Sequence, residues 1–404
     1  MLPSSTPGAL EGIRVVDLTT VLMGPLAARI LGDLGADVVR LESLDGDSSR
    51  NSLPARSAGM SSMAMNLQRN KRSIALDLKD PAARAAAFRL LCGADVVVTN
   101  MRRAALGRLG LDPDAVRAAA PSVVYCVANG YGSDGPYADR PAYDDAIQAG
   151  SGISWLIGQV QDRPGYLPAI IADKVCGMTI AQAVLAALLH RARTGRGQTV
   201  EVPMLETMVA FNVIEHQRGA TYDPPLAPFG YDRLLTPYRR PFRSADGWVA
   251  LLPYNDAHWA AFFDLCDRAD LAADPRFTDH NARIAHVDAL YRWVDEVAAT
   301  RTTGAWVAAC EARGIPAMAV LDLAHAADDP HLAAVGLFER VEHPTEGAYV
   351  HVHDAVRYSD SPSALRRFTP RLGEHTVEVL AEVGLDAAEI AALVASGAAR
   401  TASS

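Results

Sequence analysis

Four short runs rich in β-branched residues, separated by stretches with helical spacing, constrain this chain more than anything else in it. GIRVVDL (12–18) reads as a buried strand. Gly24-Pro25 then opens a helical stretch with Leu26, Ile30, Leu31 and Leu34 on one face. Pro25 suits a first helical turn and Gly35 a helix exit. DVVRLE (37–42) is the next strand. Asp80-Pro81 caps a helix through Leu91, ADVVVTN (94–100) follows as a strand, and a helical stretch leads to SVVYCVANG (122–130). Strand, helix and strand in alternation demand a parallel sheet, because parallel neighbours need a crossover connection. The expected fold is therefore α/β, with a Rossmann-like doubly wound large domain. Ligands of such sheets gather beyond the carboxyl ends of the strands. Leu22, Met23, Asn100 and Asn129 stand at such ends.

The same rhythm without certain motifs excludes several functions. The first strand-to-helix segment, TTVLMGP, holds one glycine and no GxGxxG, which argues against a nicotinamide dehydrogenase. A P-loop is also missing. With 50% hydrophobic and 21% charged residues, the chain is not disordered. The net charge of −9 disfavours a nucleic-acid partner, although a local basic patch could hold a phosphorylated small molecule. Five cysteines without a CxxC pair suit a reducing compartment and suggest neither a disulfide framework nor structural zinc. No apolar run approaches the ~20 residues of a membrane span. MLPSSTPGALEG lacks a basic segment followed by an apolar one, so no secretory leader is expected and the cytoplasm is the expected location. His351 and His353 form an HxH pair that strand alternation explains as two solvent-facing residues, and no metal site is expected.

Beyond the first half, a long helix is expected from 173, a strand at TVEVPM (199–204), and a helical stretch to about Arg218. TYDPPLAPFGYDRLLTPYRRPF (221–242) is rich in proline and tyrosine and reads as a crossing linker. The expected domains are 1–220 as the first part of the large domain, 221–242 as linker, 243–330 as a small α/β domain, and 331–404 as a return to the large domain. WVALLP (248–253) and PAMAVLD (316–322) are the strands of the small domain, and the tail from about 345 reads as strand and then helix.

Among residues that could carry chemistry, Asp173 is foremost. It follows the apolar AIIA (169–172) where the long helix starts. As an N-cap it would contribute about 1 kcal/mol, and the residues alone favour that role. The same place would let helix amides keep it ionised and stabilise an oxyanion on an acyl group attached to it. Arg14, Arg40, Lys71, Arg72, Lys79, Arg102, Arg103 and Arg108 form a scattered basic set, read either as solvated surface or as phosphate contacts. ANGYGSDGPYADRPA (128–142) and the following Tyr143-Asp144 form a long loop after a strand, a common place for function. Glu206, Glu215 and His216 read as a solvated helix face.

Taken jointly, several segments resemble the class III CoA-transferase family, also called CaiB/BaiF. They are GIRVVDLTTVLMGPLAARILGDLGADVVRLE (12–42), NKRSIALDLK (70–79), ADVVVTN (94–100), GYGSDGPYADRPAYDDAIQAGSG (130–152), IADKVCG (171–177), LLHRARTGRGQTVEVPM (188–204) and RLGEHT (371–376). The family includes formyl-CoA, carnitine and succinyl-CoA transferases and the 2-methylacyl-CoA racemases.

The resemblance implies a CoA thioester as substrate, a carboxylic acid as acceptor, no permanently bound cofactor, and an interlocked ring-shaped homodimer. It implies Asp173 as the nucleophile, passing through an aspartyl anhydride and an aspartyl-CoA thioester. It further implies CoA contacts at Leu22, Met23, Leu76, Lys79, Asn100, Met101, Arg102, Arg108, Arg140, Ala142 and Tyr143. Ser43 and Pro141 depart from positions where relatives carry a cation. No counterpart of the glycine-rich loop of formyl-CoA transferases occurs near 221–260. Tyr143 stands where the racemases place a histidine, and a phenol is a far weaker base at neutral pH than an imidazole. The rival readings are a racemase or epimerase using Asp173 as base, and a CoA-binding protein without turnover.

Overall fold

A computed structural model describes residues 6–402. Its contacts divide the chain into two units. Among the described residues, one comprises 6–148, 168–208 and 330–402, and the other 149–167 and 209–329.

The first unit is mixed α/β with a sheet that is parallel except at one edge. Its parallel strands are β1 (Arg14–Leu18), β2 (Asp37–Glu42), β3 (Lys71–Leu76), β4 (Val96–Thr99), β5 (Val124–Asn129) and β6 (Thr199–Pro203). Their order is β3-β2-β1-β4-β5-β6, and the two-residue strand Ala399–Arg400 pairs antiparallel with β3. The order therefore reverses between β1 and β4, which opens a crevice at the carboxyl ends of these two strands.

Alternate strand residues serve different layers. Val16, Val39, Ile74, Val97 and Tyr125 join one apolar core with Ala83 and Leu90 of α2 (Pro81–Cys92) and with Val379 and Ile390 near the C-terminus. Burying each large aliphatic side chain stabilises the fold by about 1.5–3 kcal/mol. Asp80 caps α2 as expected, accepting from the amides of Ala82 and Ala83 at 2.9 Å. The helices α1 (Met23–Asp33), α3 (Asp144–Gly150), α4 (Ile171–Thr194) and α5 (Met204–His216) complete the elements that shape the cleft. α1 packs on α4 at Gly177, where an added Cβ would come within 2.8 Å of the Met23 carbonyl oxygen. Against expectation, α4 is long and apolar enough to cross a membrane. Half of that apolar window is buried, and the helix packs on α1, β5 and β6.

The strand KRSIAL (71–76) has no strand pattern because two cations break its apolar run, yet both are inside. Lys71 Nζ donates to Asp17 Oδ2 at 2.9 Å, to Gln68 Oε1 at 3.0 Å and to the Pro25 carbonyl at 2.9 Å. Arg40 Nη1 donates to the same Asp17 oxygen at 3.0 Å. Burial alone would raise the Asp17 carboxyl, but Lys71 and Arg40 outweigh it and hold it at about 2. Burial pushes Lys71 down to about 8. Arg72 pairs with Asp37 and Glu382, both at 2.6 Å, and Arg14 with the same two carboxylates at 3.1 and 3.0 Å. Lys71, Arg72 and Arg40 are thus buried rather than solvated surface, while Arg14 is half-buried. All four neutralise carboxylates of the fold.

The later segment begins a strand earlier than expected. Phe338–His343 pairs antiparallel with Gly347–Val352. His351 is buried rather than solvent-facing, and burial, then Arg69 and His353, push its imidazole down to about 3. His353 bonds Glu339 at 2.9 Å.

The second unit has its own core. Phe242–Arg243, Trp248–Leu251 and Ala317–Ala319 form a three-stranded antiparallel sheet. The helices Asp256–Leu265, Val287–Ala298 and Thr303–Glu311 supply Phe262, Phe263, Leu290 and Trp306 to that core. Trp306 satisfies its indole N–H on the Ala298 carbonyl at 2.8 Å. The proline-rich 221–242 stretch ends in the first of these strands and carries one helical turn, Asp232–Leu235.

Candidate active site

The turns after β1, β4 and β5 surround an open cleft of about 400 Å³. Thr20, Val21 and Met23 line it from the first turn, and Asn100, Arg102 and Arg103 from the second. The loop after β5 contributes Arg140, Ala142 and Tyr143, while Asp173 and Met204 complete the wall.

Asp173 is not a helix cap. α4 starts at Ile171, which puts Asp173 in its first turn, and Ile170 occupies the cap position without a side-chain bond. Capping is done by Asp144, at the start of α3. Asp144 Oδ1 accepts from the Ala172 amide at 2.7 Å and the Asp173 amide at 3.1 Å. Its other oxygen accepts from Gln148 Nε2 at 2.6 Å. The carboxylate of Asp144 is therefore committed, whereas that of Asp173 has no hydrogen-bond partner among the described residues and is 8% exposed.

The electrostatics are also opposite to the expectation that helix amides keep Asp173 ionised. Burial, and then the neighbouring Asp144, push its carboxyl up to about 6. An anion with little solvation and no donor is a better nucleophile than an exposed carboxylate. Cys176, one turn along α4, is no competitor. Burial and the two aspartates push its thiol up to about 12, so at neutral pH it is protonated.

The loop after β5 is pinned at both ends. A Cβ on Gly130 would meet the Ala142 Cβ at 2.2 Å, so glycine is required where the loop closes on itself. Glu206 Oε1, in the first turn of α5, accepts the Gly132 amide at 2.8 Å. Glu201 of β6 accepts the Ser133 amide at 3.0 Å and its hydroxyl at 2.9 Å. Glu206 is thus an anchor and not merely part of a solvated helix face. Arg140 stacks its guanidinium 3.8 Å from the Tyr137 ring centre, and Tyr143 stands 71% exposed at the rim.

The structure brings Met23, Asn100, Arg102, Arg140, Ala142, Tyr143 and Asp173 together around one cleft. Leu22, Leu76, Lys79, Met101 and Arg108 do not line this cleft. Leu76 lies in the apolar core, and Lys79 and Arg108 are exposed. Asn100 has its amide engaged, accepting from Thr20 N at 2.9 Å and donating to Thr20 O at 3.0 Å. The residue pattern gives no role to Asp144, although its place beside Tyr143 at the end of a long loop is a usable signal.

The description of CoA-transferase family III matches residues 10–376. An acyl-CoA transferase of Fusarium pseudograminearum is 33% identical, covering 96% of this chain and 88% of its own. A succinate–glutarate CoA-transferase of Agrobacterium fabrum is 31% identical, with 95% and 97% covered. The crystal structure of a CaiB/BaiF family protein from Brucella suis superposes with a TM-score of 0.78 at 29% identity, over 93% of this chain and 100% of that one. With a family match over most of its length, relatives of this similarity and a shared fold, the chain belongs to CoA-transferase family III.

Proposed function

We propose that this enzyme moves CoA from an acyl-CoA thioester to a carboxylic acid, with Asp173 as the nucleophile. The observation that carries the reading is the buried, unpartnered Asp173 carboxylate in the wall of a cleft at the strand-order reversal. The carboxylate attacks the thioester carbonyl; the C–S bond breaks and CoA thiolate leaves, giving a mixed anhydride. The thiolate then attacks the aspartyl carbonyl, releasing the donor acid and forming an aspartyl-CoA thioester. The acceptor carboxylate attacks that thioester and expels the thiolate, which next attacks the acceptor's acyl carbon. Asp173 is returned as a carboxylate. Each exchange replaces one difficult step by two easier ones.

Arg102, Arg103 and Arg140 place positive charge around the cleft of a chain with net charge −9. They suit the phosphates of CoA. By its resemblance we also propose that the chain works as an interlocked homodimer; light scattering that returns 43.1 kDa, the mass of one chain, would refute it.

The test is transfer from succinyl-CoA to glutarate and other dicarboxylates in deuterated water, followed by mass spectrometry. Succinate and glutarate are the pair named for the Agrobacterium relative. The expected product is the acceptor's CoA thioester, formed with no deuterium at C2. A second arm offers a 2-methylacyl-CoA alone, where Asp173-dependent deuterium uptake without transfer would establish the racemase instead. In the same assay Arg102→Ala and Arg140→Ala should each raise KM for the thioester about tenfold, and added salt should narrow the difference. Unchanged KM in both would remove them from the CoA site.

A further inference from the structure

The turn that joins β1 to α1 is held in an unusual way. Three successive backbone amides each donate to a side-chain oxygen from a different place. The Thr19 amide donates to Asp17 Oδ1 at 3.1 Å, the Thr20 amide to Asn100 Oδ1 at 2.9 Å, and the Val21 amide to Asp47 Oδ2 at 2.9 Å. Val21 has a φ of 68°, in the left-handed region that β-branched residues avoid. Such strain persists only where the surroundings over-determine it, and it clusters at functional sites.

Two of the three holders are tied to one buried cation. Arg40 Nη1 lies 3.0 Å from Asp17 Oδ2, and Arg40 Nη2 lies 3.7 Å from Asp47 Oδ2. Asp47 is itself buried, and its second oxygen accepts the Ser49 amide at 2.7 Å. Val21 and Met23 line the cleft that Asp173 opens into, so the shape of this turn sets one wall of it.

We propose that Asp47, facing the buried Arg40 across a long ion pair, is a positioning residue that keeps Val21 in its left-handed conformation and thereby preforms the wall against which the CoA thioester binds. This rests on the cleft being the CoA site. It goes further by giving a function to a buried charge cluster that makes no contact with the reacting atoms. Without Asp47, Val21 relaxes toward negative φ, and binding must first rebuild the strained turn. That requirement lowers apparent affinity by the fraction of molecules already in the competent shape.

Glycine provides the discriminating test, because it takes positive φ about as readily as negative. CoA affinity is measured by calorimetry, and KM for an acyl-CoA by rate, in four proteins: the unaltered chain, Asp47→Ala, Val21→Gly and the double variant. Asp47→Ala should weaken CoA binding about tenfold in the unaltered background, and less than about threefold in the Val21→Gly background. KM should move with Kd while kcat stays closer to its starting value. An equal penalty in both backgrounds would make Asp47 a general support of the fold and overturn the proposal. So would full affinity in Asp47→Ala. Should Asp47→Ala fail to fold, Asp47→Asn enters the same cycle; it keeps one acceptor but loses the charge that faces Arg40. Failure of the unaltered chain to bind CoA would instead overturn the reading of the cleft itself.

Discussion

Asp173→Asn should abolish transfer, by on the order of 10⁴-fold or more, while the protein becomes more stable. The two halves of that result have separate causes. An amide cannot form the anhydride, so the chemistry stops. The helix start is unaffected, because Asp144 and not Asp173 caps α4. Stability follows from proton linkage. The folded state holds the Asp173 proton more tightly than the unfolded chain, with a carboxyl raised from 3.8 to about 6 by burial and by Asp144. Its contribution to stability is therefore present below 3.8 and lost as pH rises through 6. At pH 8 the folded protein carries an ionised, poorly solvated carboxylate at a cost on the order of 3 kcal/mol, which the amide removes. Melting curves at pH 8 and a transfer assay read both effects, after mass spectrometry has shown that the amide has not hydrolysed back. A lower melting temperature with activity retained would sink the assignment.

Asp144→Ala should cost about a hundredfold in transfer, as expected when a reacting group is misplaced by about an ångström. It also removes the cap of α4, worth about 1 kcal/mol. Asp144→Asn separates the two functions of this residue. Asparagine caps about as well as aspartate, so its oxygen can still receive the amides of Ala172 and Asp173. What disappears is the like charge beside Asp173. The nucleophile must be ionised, so the rate of the unaltered enzyme should fall about tenfold per pH unit below the Asp173 pKa of about 6. In Asp144→Asn that limb should shift toward lower pH, though not all the way to 3.8, because burial is the larger cause of the shift. A pH–rate profile of kcat/KM decides it: an unmoved acid limb would show that Asp144 does not act on Asp173.

The strands β1, β2, β4 and β5 are legible in the residues because each carries a run of adjacent buried apolar residues, valines above all, which the single charges Asp17 and Arg40 interrupt without hiding. β3 is not, since Lys71 and Arg72 look like surface and only the partners Asp17, Asp37 and Glu382 make them interior. Those partners lie far away in the chain, where no local pattern can point to them. The same holds for the site. Asp173 is legible as a carboxylate after an apolar run, but the cap that frees it comes from Asp144, 29 positions earlier. Asn100 is legible as a strand-end residue, but its amide serves Thr20. His351 shows the reverse failure. Alternation gives its strand, while its burial depends on which layer covers that face.

The charge cluster beneath the cleft has a consequence for behaviour on heating. Asp17, Arg40, Glu42, Asp47 and Lys71 are all enclosed, and enclosing ions is costly at ordinary temperature. Hydration of ions becomes less favourable as water warms, so that cost shrinks while apolar stabilisation levels off. The β1–α1 turn is therefore tied to a part of the first unit whose relative contribution grows with temperature. Heat should loosen the exposed rim around Tyr143 before it loosens the floor beneath it, and amide exchange followed through a temperature ramp would show Thr19, Thr20 and Val21 among the last of the cleft's backbone to open.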